Sequence, residues 1–228
     1  EVLLLAYMEW GIDCLPRLNG IFSFAIWEEA GRTLFLARDR LGVKPLFFFQ
    51  KGPTFVFGSE LKALLAHPRV HPELDAEGLA EILVMAPSRT PGHGIFRGVR
   101  ELKPGHCLRL DRIGLHIKRY WSLISRPHED DLPTTARRVG ELLEDAVSRQ
   151  LISDVPIATL LSGGLDSSAI TALAARTLKE SGSGCLKTFS VDYVGSERHF
   201  FASKFQPDSD APWVKRVSEY VGSDHQNI

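Results

Sequence analysis

The spacing of apolar residues changes character along the chain. Residues 1–10 read as the remainder of an amphipathic helix, stopped near Gly11. From 19 to 57 the pattern turns to strands. Ile21-Phe22-Ser23-Phe24-Ala25-Ile26-Trp27 is aromatic and β-branched, a turn follows at 28–32, and 33–37 returns. Leu46 to Phe49 and Phe55 to Phe57 pair around Lys51-Gly52-Pro53. Connections this short predict antiparallel strands. Helices are predicted at 60–66 and at about 75–85, the second with Leu79, Ile82 and Leu83 on one face. The stretch 95–120 is strand-like again, with a turn at Lys103-Pro104-Gly105.

A polar, proline-bearing segment, Ser125-Arg126-Pro127-His128-Glu129-Asp130-Asp131, breaks this pattern. It divides the chain into a first domain, 1–124, a linker, 125–132, and a second domain, 133–228. Beyond it, Val139, Leu142, Leu143, Ala146, Val147 and Leu151 mark one face of a helix. A short apolar run at 157–161 leads through two glycines into a second helix, where Ala169, Ile170, Leu173, Ala174 and Leu178 recur at helical spacing. A strand at 187–193, a helix opened by Pro212 and a last strand from His225 complete the series. This alternation predicts the start of a doubly wound parallel sheet, with a ligand at the carboxyl end of its strands.

Bulk composition narrows the partners. With 228 residues, 44% hydrophobic and 24% charged, the chain has room for one large or two small globular domains. A net charge of −1 supplies no global field to recruit nucleic acid or an anionic membrane. The three cysteines, Cys14, Cys107 and Cys185, lack metal-site spacing and suit a reducing cytoplasm. No bilayer-length apolar run or signal peptide is visible. Glu1 opens in mid-element and Ile228 follows no terminator, so both ends read as cut.

Chemistry concentrates at Leu161-Ser162-Gly163-Gly164-Leu165-Asp166-Ser167-Ser168. A glycine turn between a strand and a helix N-terminus suits an anion, because free N–H groups and the helix dipole converge there. Adjacent glycines let backbone approach the anion without a Cβ in the way. Ser162, Ser167 and Ser168 add hydroxyl donors. Asp166 would repel phosphate unless a Mg²⁺ ion lay between them. The string is not the Walker loop, since no Gly-Lys-Ser or Gly-Lys-Thr follows, and it lacks Gly-x-Gly-x-x-Gly. The bland alternative is a plain structural turn, in which Asp166 caps its helix or orients the serines.

Ser-Gly-Gly-Leu-Asp-Ser resembles the pyrophosphate loop of the ATP pyrophosphatases. The first half, through Arg17-Leu18-Asn19-Gly20-Ile21-Phe22-Ser23-Phe24-Ala25, Ala37-Arg38-Asp39-Arg40-Leu41-Gly42-Val43-Lys44-Pro45-Leu46 and Gly58-Ser59-Glu60-Leu61-Lys62-Ala63-Leu64, is similar to the later part of a class II glutaminase domain. Together the halves resemble glutamine-hydrolysing asparagine synthetases of the bacterial B type. The resemblance implies a truncated αββα layer of the N-terminal-nucleophile type, followed by the first part of an ATP-pyrophosphatase domain. It implies ATP and Mg²⁺ as cofactors, and aspartate, glutamine and ATP as substrates. Aspartyl-AMP would be the intermediate and ammonia the nucleophile that displaces AMP. ATP would contact Leu161, Ser162, Gly163, Gly164, Asp166, Ser167 and Ser168, and Val191 of Thr188-Phe189-Ser190-Val191 would touch adenine. Lys204-Phe205-Gln206-Pro207-Asp208-Ser209-Asp210 looks like a variant found in some bacterial members.

None of the family's glutaminase nucleophile set matches a residue here. Glu1 stands first where the family has cysteine, and the fragment alone is expected to be inactive. Cys14 is internal and has no free α-amine to serve as base, so it reads as a packed thiol. Two other readings share the residues: a β-lactam synthetase or peptide-cyclising relative, and a non-catalytic interaction module. Association into a homo-oligomer is left open. Elsewhere the signals are structural. Prolines separate His67 from His71, and Arg38, Asp39 and Arg40 read as an ion network beside a strand end. Arg137 and Arg138 read as a solvated face, and Phe47-Phe48-Phe49 as sheet core and interdomain contact.

Overall fold

The computed structural model describes residues 1–192, 195, 200–202 and 208–228. Two compact units form, Glu1–Arg126 and Pro127–Ile228. The predicted variant segment at 204–210 lies largely outside the described residues, as does Tyr193 at the end of the predicted second strand.

In the first unit, α1 (Val2–Trp10) ends at Gly11, whose φ of 54° leaves the helical region, and a 3₁₀ turn follows over Gly11–Arg17. Strands β1 (Ser23–Glu28), β2 (Thr33–Arg38), β6 (His106–Leu110) and β7 (Leu115–Arg119) make an antiparallel sheet in the order β1-β2-β6-β7. A second sheet has the order β4-β3-β5, from β3 (Phe47–Lys51), β4 (Thr54–Gly58) and β5 (Val99–Glu101). The two-residue period of a strand sorts the side chains into layers. Leu36, Leu108 and Phe48 meet between the sheets with Leu46 and Leu102. Phe35, Ala37 and Cys107 face the other way, onto Cys14 and Leu15, with Ala6 and Tyr7 of α1 packed alongside. Phe47 and Phe49 face outward from the second sheet onto Leu64 of α2 (Leu61–Leu65). The layers therefore run helix, sheet, sheet, helix, the αββα arrangement expected. Each core leucine contributes on the order of 1.5–3 kcal/mol by leaving water.

Three expectations here need correcting. The helix from residue 75 is α-helical only over α3 (Ala76–Ala80), and Glu81–Met85 continue as a π-helix. The wider turn shifts side-chain register, and Leu79, Ile82 and Leu83 stay exposed rather than forming a buried face. Helix α1 is apolar on both sides rather than amphipathic: Ala6 and Tyr7 pack on the core, while Val2, Leu5 and Met8 are exposed. Arg38, Asp39 and Arg40 do not pair with one another. Asp39 accepts from the backbone N–H groups of Leu41, Val43 and Lys44 at 3.0–3.2 Å. Arg38 finds its ion partner 63 positions away in Glu101, and Arg40 donates to the Pro16 carbonyl. The lone pairs of a carboxylate at a strand end are taken up by the turn N–H groups, which leaves the neighbouring cations to find other acceptors.

In the second unit, α4 (Leu132–Gln150) starts where the Asp131 carboxylate accepts from the Thr134 N–H at 3.0 Å, with Pro133 in its first turn. Its predicted apolar face is buried only at Val147, against Ala174 and Leu186, while Val139 and Leu142 remain exposed. Strands β8 (Ala158–Leu160), β9 (Lys187–Ser190) and β10 (Asp224–Asn227) form a parallel sheet in the order β10-β9-β8. Helices α5 (Leu165–Glu180) and α6 (Ala211–Val221) connect them, and Gly222 ends α6 at a φ of 67°. Sequential parallel strands joined by helices are half of a doubly wound sheet, as the alternation predicted.

Candidate functional site

The glycine turn leaves β8 and opens α5. Gly164 is the N-cap and provides no side-chain cap, so the N–H groups of the first turn of α5 have no intrahelical acceptor. The two glycines serve different ends. Gly163 has a φ of 78°, and a Cβ there would lie 2.9 Å from both the Asp210 carbonyl oxygen and the Trp213 Cβ. A glycine there lets the loop dock on the start of α6. Gly164 has an ordinary φ of −71°. A Cβ on it would have only Ser162 Oγ nearby, at 3.6 Å. That position faces open space.

The serines also divide. Ser167 stitches the loop: its hydroxyl donates to the Gly164 carbonyl at 3.1 Å, accepts from the Ser162 N–H at 3.3 Å, and lies 3.0 Å from Ser162 Oγ. Ser168 keeps its backbone bond to Gly164 in the helix. Asp166 is exposed on the first turn of α5, and its carboxylate makes no capping bond.

Beside the turn, a cleft of about 690 Å³ opens at the carboxyl ends of the three parallel strands. Leu161, Ser162 and Val191 line it, so the structure brings these three predicted residues together. Gly163, Gly164, Asp166, Ser167 and Ser168 stand in the adjoining turn and do not line the cleft. Its other wall comes from the start of α6, through Ala211, Val214 and Lys215.

Sequence reasoning missed the polar floor of this cleft. Ser190, His225 and Asn227 line it, and buried Thr188 shares their face of β9 and β10 outside the lining, in register as His225 beside Thr188 and Asn227 beside Ser190. Each ring nitrogen of His225 meets a hydroxyl: Nδ1 is 2.9 Å from Thr188 Oγ1, and Nε2 is 3.1 Å from Ser190 Oγ. The signal was present as Thr-x-Ser and His-x-Asn, a polar period of two where a buried strand should be apolar.

Among the described residues, no group of three His, Cys, Asp or Glu side chains could hold a metal ion alone. A metal carried on phosphate oxygens needs less: one exposed carboxylate such as Asp166 fits Mg²⁺, which keeps several waters. Two of the three thiols are structural. Cys14 and Cys107 are buried and reduced, and burial pushes the pKa of each upward, away from the reactive thiolate. No helix among the described residues is long and apolar enough to cross a membrane.

Comparison with known proteins gives two family matches: a glutamine amidotransferase domain over residues 1–121 and asparagine synthase over residues 138–228. The chain is 52% identical over 225 residues to asparagine synthetase [glutamine-hydrolyzing] 3 of Bacillus subtilis, covering 99% of this chain and 37% of that protein. It is 30% identical over 230 residues to the putative asparagine synthetase [glutamine-hydrolyzing] 2 of Methanocaldococcus jannaschii, covering 100% of this chain and 42% of that one. The chain thus spans well under half the length of these curated relatives. A solved glutamine phosphoribosylpyrophosphate amidotransferase of B. subtilis aligns over 96% of this chain and 60% of its own, at 14% identity and a TM-score of 0.35, too low to carry an argument.

Proposed function

We propose, on the premise that this chain belongs to the glutamine amidotransferase domain family and matches asparagine synthase behind that domain, that its protein makes asparagine from aspartate, with ATP as activator and glutamine as amide donor. Residues 1–124 would belong to the glutaminase domain, 125–132 to the linker and 133–228 to the adenylating domain. The observation that carries the reading is the Ser162–Ser168 turn at the carboxyl end of β8, beside the cleft that Val191 lines.

In this reading the free N–H groups of the first turn of α5, with the Ser162 and Ser168 hydroxyls, hold the β and γ phosphates of ATP. Gly164 lets the phosphates approach, and Gly163 fixes the loop against α6. Leu161 and Val191 form the apolar sides for the nucleoside. Asp166 would hold Mg²⁺, whose charge offsets the negative charge that builds on the leaving pyrophosphate. The aspartate side-chain carboxylate attacks the α-phosphate, and the bond to the bridging oxygen breaks. Ammonia from glutamine then takes the acyl carbon, and AMP leaves. Helix-terminus donors already in place do not reorganise as that charge shifts, which is the source of their catalytic value. A cytoplasmic location belongs to the same reading, since aspartate, glutamine and ATP are all small metabolites and the three thiols are free.

The test is aspartate-dependent exchange of labelled pyrophosphate into ATP by the full-length protein. Exchange that needs aspartate and Mg²⁺ is expected. A protein that binds ATP yet exchanges only with another carboxylic acid would belong to a different acceptor.

A further inference from the structure

The polar floor of the cleft is linked by a chain of hydrogen bonds. Ser190 Oγ donates to Asn227 Oδ1 at 3.4 Å. Its oxygen is then left to accept from His225 Nε2 at 3.1 Å. On its other side, Nδ1 of the ring meets Thr188 Oγ1 at 2.9 Å. Thr188 Oγ1 in turn lies 2.9 Å from Ser223 Oγ. Thr188 is fully buried, so the chain of bonds is anchored at one end and opens at exposed Asn227 on the other. The ladder beyond it is intact, with the Ile228 N–H on the Ser190 carbonyl at 2.8 Å and the Asp192 N–H on the Ile228 carbonyl at 3.1 Å. Asn227 therefore cannot drift away from β9.

We propose that Asn227 reads the purine edge of the bound nucleotide, and that His225, through Ser190, is the positioning residue that fixes its amide. The inference rests on the nucleotide reading above and names a specificity determinant within it. Two facts support it. The cleft joins Ser162, just past the end of β8, to Asn227 on β10, two interstrand spacings away, or about 10 Å. That span suits a whole nucleotide rather than pyrophosphate alone. The Ser190 hydroxyl occupies one lone pair of Asn227 Oδ1, which leaves the other lone pair and the Nδ2 hydrogens for a ligand. A carboxamide with one donor and one acceptor matches adenine, which offers N7 as acceptor and N6–H as donor. It clashes with guanine, whose N7 and O6 are both acceptors.

The experiment measures equilibrium binding of ATP, GTP and pyrophosphate, each with Mg²⁺, to the full-length protein. Wild type should favour ATP over GTP. Asn227→Ala should weaken ATP about tenfold and bring the ATP-to-GTP ratio near one, as expected for losing a two-point base contact. Pyrophosphate binding should not change. Asn227→Asp, nearly isosteric, keeps the acceptor but loses the donor and should behave like Asn227→Ala. His225→Ala should lower the same ratio, and His225→Gln should restore it, because the glutamine amide can donate to Ser190. A merely structural role for His225 would lower the melting temperature and leave the ratio alone. An unchanged ratio in both Asn227 variants overturns the inference, as does a wild type that binds ATP and GTP equally. Wild type that binds neither ATP nor pyrophosphate overturns the nucleotide reading itself, and this inference with it.

Discussion

Arg38 on β2 and Glu101 on β5 form an ion pair at 3.0 Å, joining the two sheets of the first unit, and both side chains are less than a tenth exposed. The guanidinium also donates to the carbonyls of Lys44, Leu102 and Gly42, each at 2.7 Å. Glu101 has a second, more distant cation in Arg89 at 3.8 Å. Removing Arg38 would leave a buried carboxylate and three orphaned carbonyls. Arg38→Leu should destabilise the first unit by about 3–5 kcal/mol. Arg89→Ala, at a longer and more open contact, should cost under about 1 kcal/mol. Denaturant midpoints followed by circular dichroism give the comparison. Equal effects from the two substitutions would show that Arg38 is no tie between the sheets.

Tyr120 gives a pH test in the same region. Its hydroxyl donates to the Arg38 carbonyl at 2.7 Å. Burial pushes its pKa up to about 12, with the nearby Asp39 charge adding to the shift. The folded state thus holds the phenolic proton more tightly than the unfolded state, whose value is near 10. Stability from this group is complete below pH 10 and is lost as pH rises from 10 toward 12. Tyr120→Phe should cost about 1 kcal/mol at pH 8 through the lost hydrogen bond. The gap between wild type and Tyr120→Phe should narrow from pH 10 upward. A gap that widens there would mean the phenolate is favoured in the fold.

The two glycines of the turn should separate folding from binding. Gly163→Ala combines a positive φ with a Cβ 2.9 Å from the Asp210 carbonyl oxygen. It should lower stability by at least about 1–2 kcal/mol. Gly164→Ala meets no such obstacle and should cost less, under about 1 kcal/mol, the difference between glycine and alanine at an N-cap. Its methyl group would stand where the backbone meets the ligand, so nucleotide affinity should fall at least about tenfold. The readouts are thermal melting and ATP binding. A Gly164→Ala protein with full affinity would remove the ligand from that side of the loop.

The strands of the first unit were legible because their alternation is local: Leu34, Phe35, Leu36 and Ala37 sort themselves onto two faces without reference to the rest of the chain. The turn at Ser162–Ser168 was legible because glycines, serines and a carboxylate cluster within a few residues. What sequence could not supply was pairing across distance. Arg38 was read against its neighbours, and its partner is Glu101. Gly163 reads locally as making room for an anion, and the constraint from the start of α6 is invisible until the fold is formed. Ser190 and Asn227 are unremarkable singly and gain meaning only once β9 and β10 lie in parallel register.

Asp166 separates a metal ligand from a structural residue. It sits exposed on the first turn of α5, makes no capping bond, and has Gly164 as the N-cap before it. A carboxylate there still favours the helix by its charge near the N-terminus, an effect of about 0.3–1 kcal/mol. Asp166→Asn removes that charge and keeps the shape, so the melting temperature should drop only slightly. A ligand of Mg²⁺ behaves differently: asparagine offers a neutral oxygen in place of an anion, and metal affinity falls with ligand charge. In the full-length protein, wild type should bind ATP more tightly as Mg²⁺ is added, and Asp166→Asn should lose most of that dependence. Pyrophosphate exchange into ATP should fall at least about a hundredfold, the scale set by losing one group that offsets charge in the transition state. Ser168→Ala, which removes a donor and leaves the carboxylate, should weaken ATP while keeping the response to Mg²⁺. If Asp166→Asn retains the wild-type response to Mg²⁺ and exchanges pyrophosphate at the wild-type rate, Asp166 acts only through the helix dipole, and the metal must be held elsewhere.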